Sequence, residues 1–162
     1  MNLKEFFSNP WVGGIGSIAS VAGLFLAVYF YVDGRQSRHL EVNVNPAKAT
    51  VVKSGQSSKL SVSYDSQPIS TDITAAQIEI WNAGNLPIKA ENVLQPLVIT
   101  TEGVAILEAS VTKVSRAVTM VALDSSEAQK GRLRVSWGIF ERSDGAVIQV
   151  TYAGKPDTNI TA

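Results

Sequence analysis

The side chains that do chemistry are sparse in this chain of 162 residues. It has one histidine, His39, and no cysteine. A Ser-His-Asp arrangement would have to be assembled around His39, just beyond a long apolar run. Thiolate metal sites and cysteine nucleophiles are excluded outright. A metal site would need carboxylates alone, and Asp65, Asp72, Glu79, Glu91, Glu108, Asp124 and Asp144 are scattered without the dense loop spacing of a calcium site. Gly13-Gly14-Ile15-Gly16 lies inside the apolar run and cannot cradle a phosphate in water. No P-loop, dinucleotide fingerprint or nucleophile elbow occurs. The expectation is a non-enzyme with no catalytic residue, metal or cofactor.

Binding chemistry has better candidates. Arg132 and Arg134 alternate with Leu133 and Val135, so both guanidinium groups leave one face of a strand and could clamp a phosphate or carboxylate. The plainer alternative is a solvated strand face, or pairing with Glu108 and Asp124. Trp81-Asn82 joins an aromatic ring to an amide, a combination that can stack and hydrogen-bond a base; a tryptophan capping a core is the alternative. Trp137 falls in the inward register and is expected in the core. Basic and acidic residues number 14 each, leaving no broad field for nucleic acid, and no direct DNA binding is expected.

The element that positions all of this runs from Trp11 to Val32. It carries no charge, and its only hydroxyls besides tyrosine are Ser17 and Ser20. A helix of this length rises roughly 33 Å, enough to cross a hydrocarbon core of about 30 Å. Trp11, Tyr29 and Tyr31 stand where aromatic rings favour the headgroup level. A retained membrane anchor accounts for the run better than a cleaved signal: Lys4 and Glu5 both occupy the segment before it, and cleavage at Ser20-Val21-Ala22 would leave the apolar LFLAVYFYV, behind Gly23, at the new terminus.

Arg35, Arg38 and Lys48 follow the run, whereas Lys4 and the terminal amine precede it. That bias predicts a single-pass protein of the cell membrane, N-terminus out and C-terminal domain cytoplasmic. Arg35, Arg38 and His39 form a basic connector that could also meet anionic headgroups. At about 100° per residue, Gly13, Gly16, Ser17, Ala19, Ser20, Gly23 and Ala27 share one side of the helix. Small residues let membrane helices approach closely, so a second copy or a partner's helix is expected there. Leu3, Phe6 and Phe7 would let residues 1–10 lie at the interface as a short helix; a frayed tail is the alternative.

From residue 40 the apolar period changes to two. Leu40, Val42 and Val44 alternate with polar residues, as do Leu60, Val62 and Tyr64. Further strands are predicted over 75–81, 97–101, 105–115 and 117–123. A last hairpin is expected to pair the run of Leu133, Val135, Trp137 and Ile139 with Ile148, Val150 and Tyr152 across Arg142-Ser143-Asp144-Gly145. About eight closely spaced strands with no long helix between them predict a mainly β domain over 40–162, an antiparallel β-sandwich or β-barrel, joined to helix 11–32 by connector 33–39.

Two stretches, IEIWNAGNLPIKAENVLQPLVIT (78–100) and DGAVIQVTYAG (144–154), resemble a loose set of short prokaryotic proteins in which one or two membrane helices precede a small β-domain. Some similarly laid out proteins are membrane-disrupting effectors of antiphage signalling whose β-barrel binds a cyclic nucleotide. The resemblance covers about half of the post-helix chain and carries none of their ligand motifs. It implies prokaryotic inner-membrane placement and an antiviral-defence role as one alternative. The leading expectation is a non-catalytic membrane protein that self-associates through its helix and binds a protein partner or a small anionic ligand such as a nucleotide. A third alternative, an outward-facing envelope or adhesion domain, requires the opposite topology.

Overall fold

The computed structural model describes residues 10–34, 36–55, 62–64 and 66–162. The chain divides into two compact units at Gln36/Ser37, three residues before the expected start of the domain. The first unit contains α1, Pro10–Asp33. Proline at a first helical position costs no hydrogen bond, because that N–H has no intrahelical partner, and Gly34 closes the last turn by donating its N–H to the Phe30 carbonyl at 2.8 Å. The helix is long and apolar enough to cross a membrane. Leu3, Phe6 and Phe7 of the expected interfacial helix, and Arg35, lie outside the described residues.

The second unit is mainly β. Its strands in chain order are β1 (Leu40–Val44), β2 (Ala49–Val52), β3 (Ser63–Tyr64), β4 (Gln67–Pro68), β5 (Ile73–Asn82), β6 (Ile88–Lys89) and β7 (Leu97–Thr101). They continue as β8 (Ile106–Val114), β9 (Ala122–Asp124), β10 (Arg132–Ser136), β11 (Ile139–Phe140), β12 (Gly145–Tyr152) and β13 (Ile160–Thr161). All pairings are antiparallel. One sheet has the order β1-β5-β12-β8, with β2 also on β5; another runs β13-β7-β10-β9; β11 pairs β6, and β3 pairs β4. Neither larger sheet closes on itself among the described residues, so the barrel alternative is corrected to open sheets.

Period-two alternation explains the core. Along β12 every second residue is buried, and Ala146, Ile148, Val150 and Tyr152 turn inward. They meet Ile78 and Ile80 of β5, Ile99 of β7 and Leu133 and Val135 of β10, so both sheets feed one hydrophobic cluster. Trp137 is buried as expected; its ring stacks on Phe140 at 5.0 Å, and its indole N–H donates to the Ile88 carbonyl at 3.1 Å. The indole needs that acceptor, since a buried donor without one is costly.

The last hairpin is a correction. β10 belongs to the β7/β9 sheet, while β12 lies between β5 and β8, so the two do not pair. The apolar alternation from Leu133 to Ile139 runs through a break at Gly138, where the chain passes to the short β11–β6 pair. A Cβ there would collide with Met120. The single strand expected over 117–123 is likewise a 3₁₀ turn, Ala117–Thr119, followed by β9. Met120 between them has φ +43°, a left-handed backbone that ends the extended run. Of the strand expected at Leu60–Tyr64, residues 62–64 are described, and Ser63–Tyr64 form β3.

Candidate functional site

The outer face of β10 carries Arg132 and Arg134, both exposed, as the alternation requires. Their surroundings differ. Arg132 Nε is 3.8 Å from the Glu127 carboxylate. Arg134 stands across from Asp124 in the β10–β9 ladder and makes no ion pair within the chain, among the described residues. Hydrogen bonds from Ser126, with a smaller contribution from Arg134, hold the Asp124 carboxyl below its usual range. Glu108 pairs with neither arginine. The two guanidinium groups therefore have separate neighbours, Glu127 loosely for Arg132 and Asp124 across the ladder for Arg134, and both stay exposed on one face.

Beside Arg134 lies a depression of about 220 Å³ lined by Ala90, Val93, Pro96, Leu97, Val135 and Trp137, with Arg134 and Ser136 at one wall. The loop from the 3₁₀ turn Ala90–Asn92 to Pro96 forms the other wall, because Ala90 donates its N–H to the Gly138 carbonyl and Lys89 donates to the Asn92 side chain at 3.1 Å. Leu94, within that loop, is 97% exposed. An exposed cation without a close ion pair, at the edge of an apolar depression, suits a ligand with an apolar body and one anionic group.

Trp81 and Asn82 do not act together. Neighbours on a strand project to opposite faces, and here Trp81 is half-buried on the outside while Asn82 is fully buried. Asn82 is a correction to the ligand-binding expectation: its side-chain N–H groups donate to the Leu86 carbonyl at 2.8 Å and the Phe140 carbonyl at 3.0 Å, and its oxygen accepts from Gly84 N–H at 2.9 Å. It braces the β5–β6 turn. Trp81 is not a core cap either. It borders a shallow recess of about 230 Å³ with Glu79, Lys113, Ser115, Ser143 and Val147. Gly145 lies opposite it in the ladder, where any Cβ would run into the Ile80 carbonyl and the Trp81 side chain.

The sequence pattern places Asp144 in the last turn and among the scattered carboxylates, and gives it no partner. This buried carboxylate accepts from Ser115 Oγ at 2.9 Å, Glu141 N–H at 2.9 Å and Arg116 through Nε and Nη2. Arg116 also reaches Glu141 at 2.9 Å. Chiefly the Arg116 guanidinium, working against burial, holds the Asp144 carboxyl below the usual carboxylate range. The cluster ties the end of β8 to the β11–β12 turn; all the bonding groups belong to the protein, and its role is structural. Asp-Gly in a turn was its one sequence signal.

Of the basic connector residues, Arg38 and His39 are part of the β unit. Arg38 donates from Nε to the Pro87 carbonyl at 3.1 Å, the His39 carbonyl accepts from Ala83 N–H, and the His39 ring lies 3.5 Å from Glu41. A role at the membrane surface is therefore a proposal for side chains already engaged. On α1, Gly16, Ser17, Ala19, Ser20, Gly23 and Ala27 are all exposed, and a Cβ at Gly16 or Gly23 would meet nothing. Ser20 Oγ donates back to the Gly16 carbonyl at 2.8 Å, so its hydroxyl is satisfied within the helix. Gly13 belongs to the same helix, its packing outside the described side chains. Comparison with family models, with curated proteins and with solved structures finds no match.

Proposed function

We propose that this protein is a non-catalytic, single-pass membrane protein whose two β-sheets pack as a sandwich and bind a partner group with an apolar body and an anionic head. The observation that carries the reading is the apolar depression beside Arg134, which makes no close ion pair among the described residues although Asp124 faces it across the ladder. α1 crosses the cell membrane, and the basic residues after it favour a cytoplasmic β unit. The small-residue side of α1 supports association with a second copy. A membrane-disrupting, cyclic-nucleotide-responsive effector remains the alternative suggested by layout. Its discriminating variant is Gly23→Leu, which under that reading abolishes toxicity on induction.

The binding reading is tested with naphthalene-1-sulfonate, titrated calorimetrically into the full chain in lipid nanodiscs against empty nanodiscs. Loss of a charge-assisted contact to Arg134 corresponds to roughly tenfold in affinity. Arg134→Gln should weaken the sulfonate by about that factor and leave the neutral 1-naphthalenemethanol unchanged. Equal binding of the sulfonate by both proteins, or no binding at all, removes the depression as an anion site.

A further inference from the structure

The longest free edge of the β unit is β8. It pairs with β12 on one side and with no strand on the other, among the described residues. β9 and the 3₁₀ turn Ala128–Lys130 contact β8 without backbone pairing. An exposed edge of nine residues is a template for another strand, and proteins commonly guard such edges with a lysine or a bulge. β8 has both, in an arrangement that does more than repel.

The ladder sets Glu108 opposite Thr151, Ser110 opposite Gln149, and Lys113 opposite Val147. Residues 108 and 113 would lie on opposite faces of a regular strand. The register steps from Val111 opposite Ile148 to Lys113 opposite Val147, leaving Thr112 as an extra residue. This bulge returns Lys113 to the outer face shared by Glu108 and Ser110. All three side chains are exposed, and neither Glu108 nor Lys113 makes an ion pair within the chain, among the described residues.

We infer that the β8 edge pairs antiparallel with β8 of a second copy about a two-fold axis at Ser110. In that register Ser110 faces Ser110, Ala109 faces Val111, and Thr112-Lys113 together oppose Glu108, giving the same Glu–Lys match twice. A foreign strand meets an edge lysine it does not match; a second copy supplies the carboxylate. The two β8-containing sheets become one continuous sheet, and the axis lies perpendicular to it. This association needs neither α1 nor the depression beside Arg134.

The test uses the absence of cysteine. Ser110→Cys in the full chain, in mild detergent, is oxidised with copper phenanthroline. Directly opposed residues of an antiparallel pair have Cα atoms about 4.5–5.5 Å apart, within disulfide range. Covalent dimer should form at Ser110→Cys and not at Gln77→Cys, an exposed position on the central strand β5. Adding Glu108→Lys should lower the dimer yield about fivefold, Lys113→Glu likewise, and the two together should restore it. Adding Gly23→Leu should leave the yield unchanged, which separates strand pairing from association through the helix. Dimer no more abundant at Ser110→Cys than at Gln77→Cys, failure of the charge swap to restore it, or its loss with Gly23→Leu would each overturn the proposal.

Discussion

The α1 helix and the β12 strand are both apolar stretches, and they dispose of their side chains in opposite ways. β12 buries Ala146, Ile148, Val150 and Tyr152 and leaves Gly145, Val147, Gln149 and Thr151 half-buried on the other face. On α1 every described side chain is exposed, including Phe25 at 72% and Phe30 at 65%. Removing apolar surface from water is the main favourable term in folding. β12 does so within the β unit; α1 leaves its described side chains uncovered and is long and apolar enough to cross a membrane. The β unit is thus held together by its own core, to which no α1 residue contributes, which makes substitutions in the two regions separable.

The largest effect is expected at Phe140, fully buried against Trp137. Phe140→Ala should destabilise the β unit by about 3–5 kcal/mol, read by denaturant unfolding followed through tryptophan fluorescence. Asn82→Ala comes next. It strands two carbonyls and an N–H that the amide now satisfies, and should cost about 2–3 kcal/mol in the same assay.

Asp144→Asn is expected to cost about 2 kcal/mol at neutral pH and to change the pH profile. A carboxyl whose folded pKa lies below its unfolded value of about 3.9 stabilises the fold fully above that value, and the stabilisation is lost as pH falls through the lower folded pKa. The variant should therefore lose stability less steeply than the parent below about pH 4. An identical acid limb would remove Asp144 from the account. The smallest effect on stability is expected from Gly23→Leu: unchanged unfolding of the β unit, with assemblies larger than the β8-paired dimer reduced in analytical ultracentrifugation in detergent.

The same contrast sets how much could be read beforehand. α1, within one residue at each end, follows from an unbroken apolar run, and the β1, β5 and β7 segments follow from two-residue alternation, β5 extending one to two residues beyond the expected strand. β7 has the bounds the alternation gives. The last hairpin failed because alternation shows which face of a strand is inward and says nothing of which sheet it joins; Gly138 was the only local mark of the crossing. At the site, the outward face of Arg132 and Arg134 was legible from period two. The depression was not, since Ala90, Val93, Pro96 and Trp137 come from distant segments. Asn82 went wrong for a local reason: adjacency in sequence was read as adjacency in space, which a strand forbids.

The central claim, that α1 crosses a membrane and leaves the β unit on the cytoplasmic side, is tested most directly by single-cysteine labelling in intact cells with a membrane-impermeant maleimide. Ser143, in an exposed turn, and Ser8, before the helix, supply the two positions as Ser143→Cys and Ser8→Cys. The account expects Ser8→Cys to label in intact cells and Ser143→Cys to label only after lysis. Labelling of Ser143→Cys in intact cells, or of neither before lysis, would contradict it.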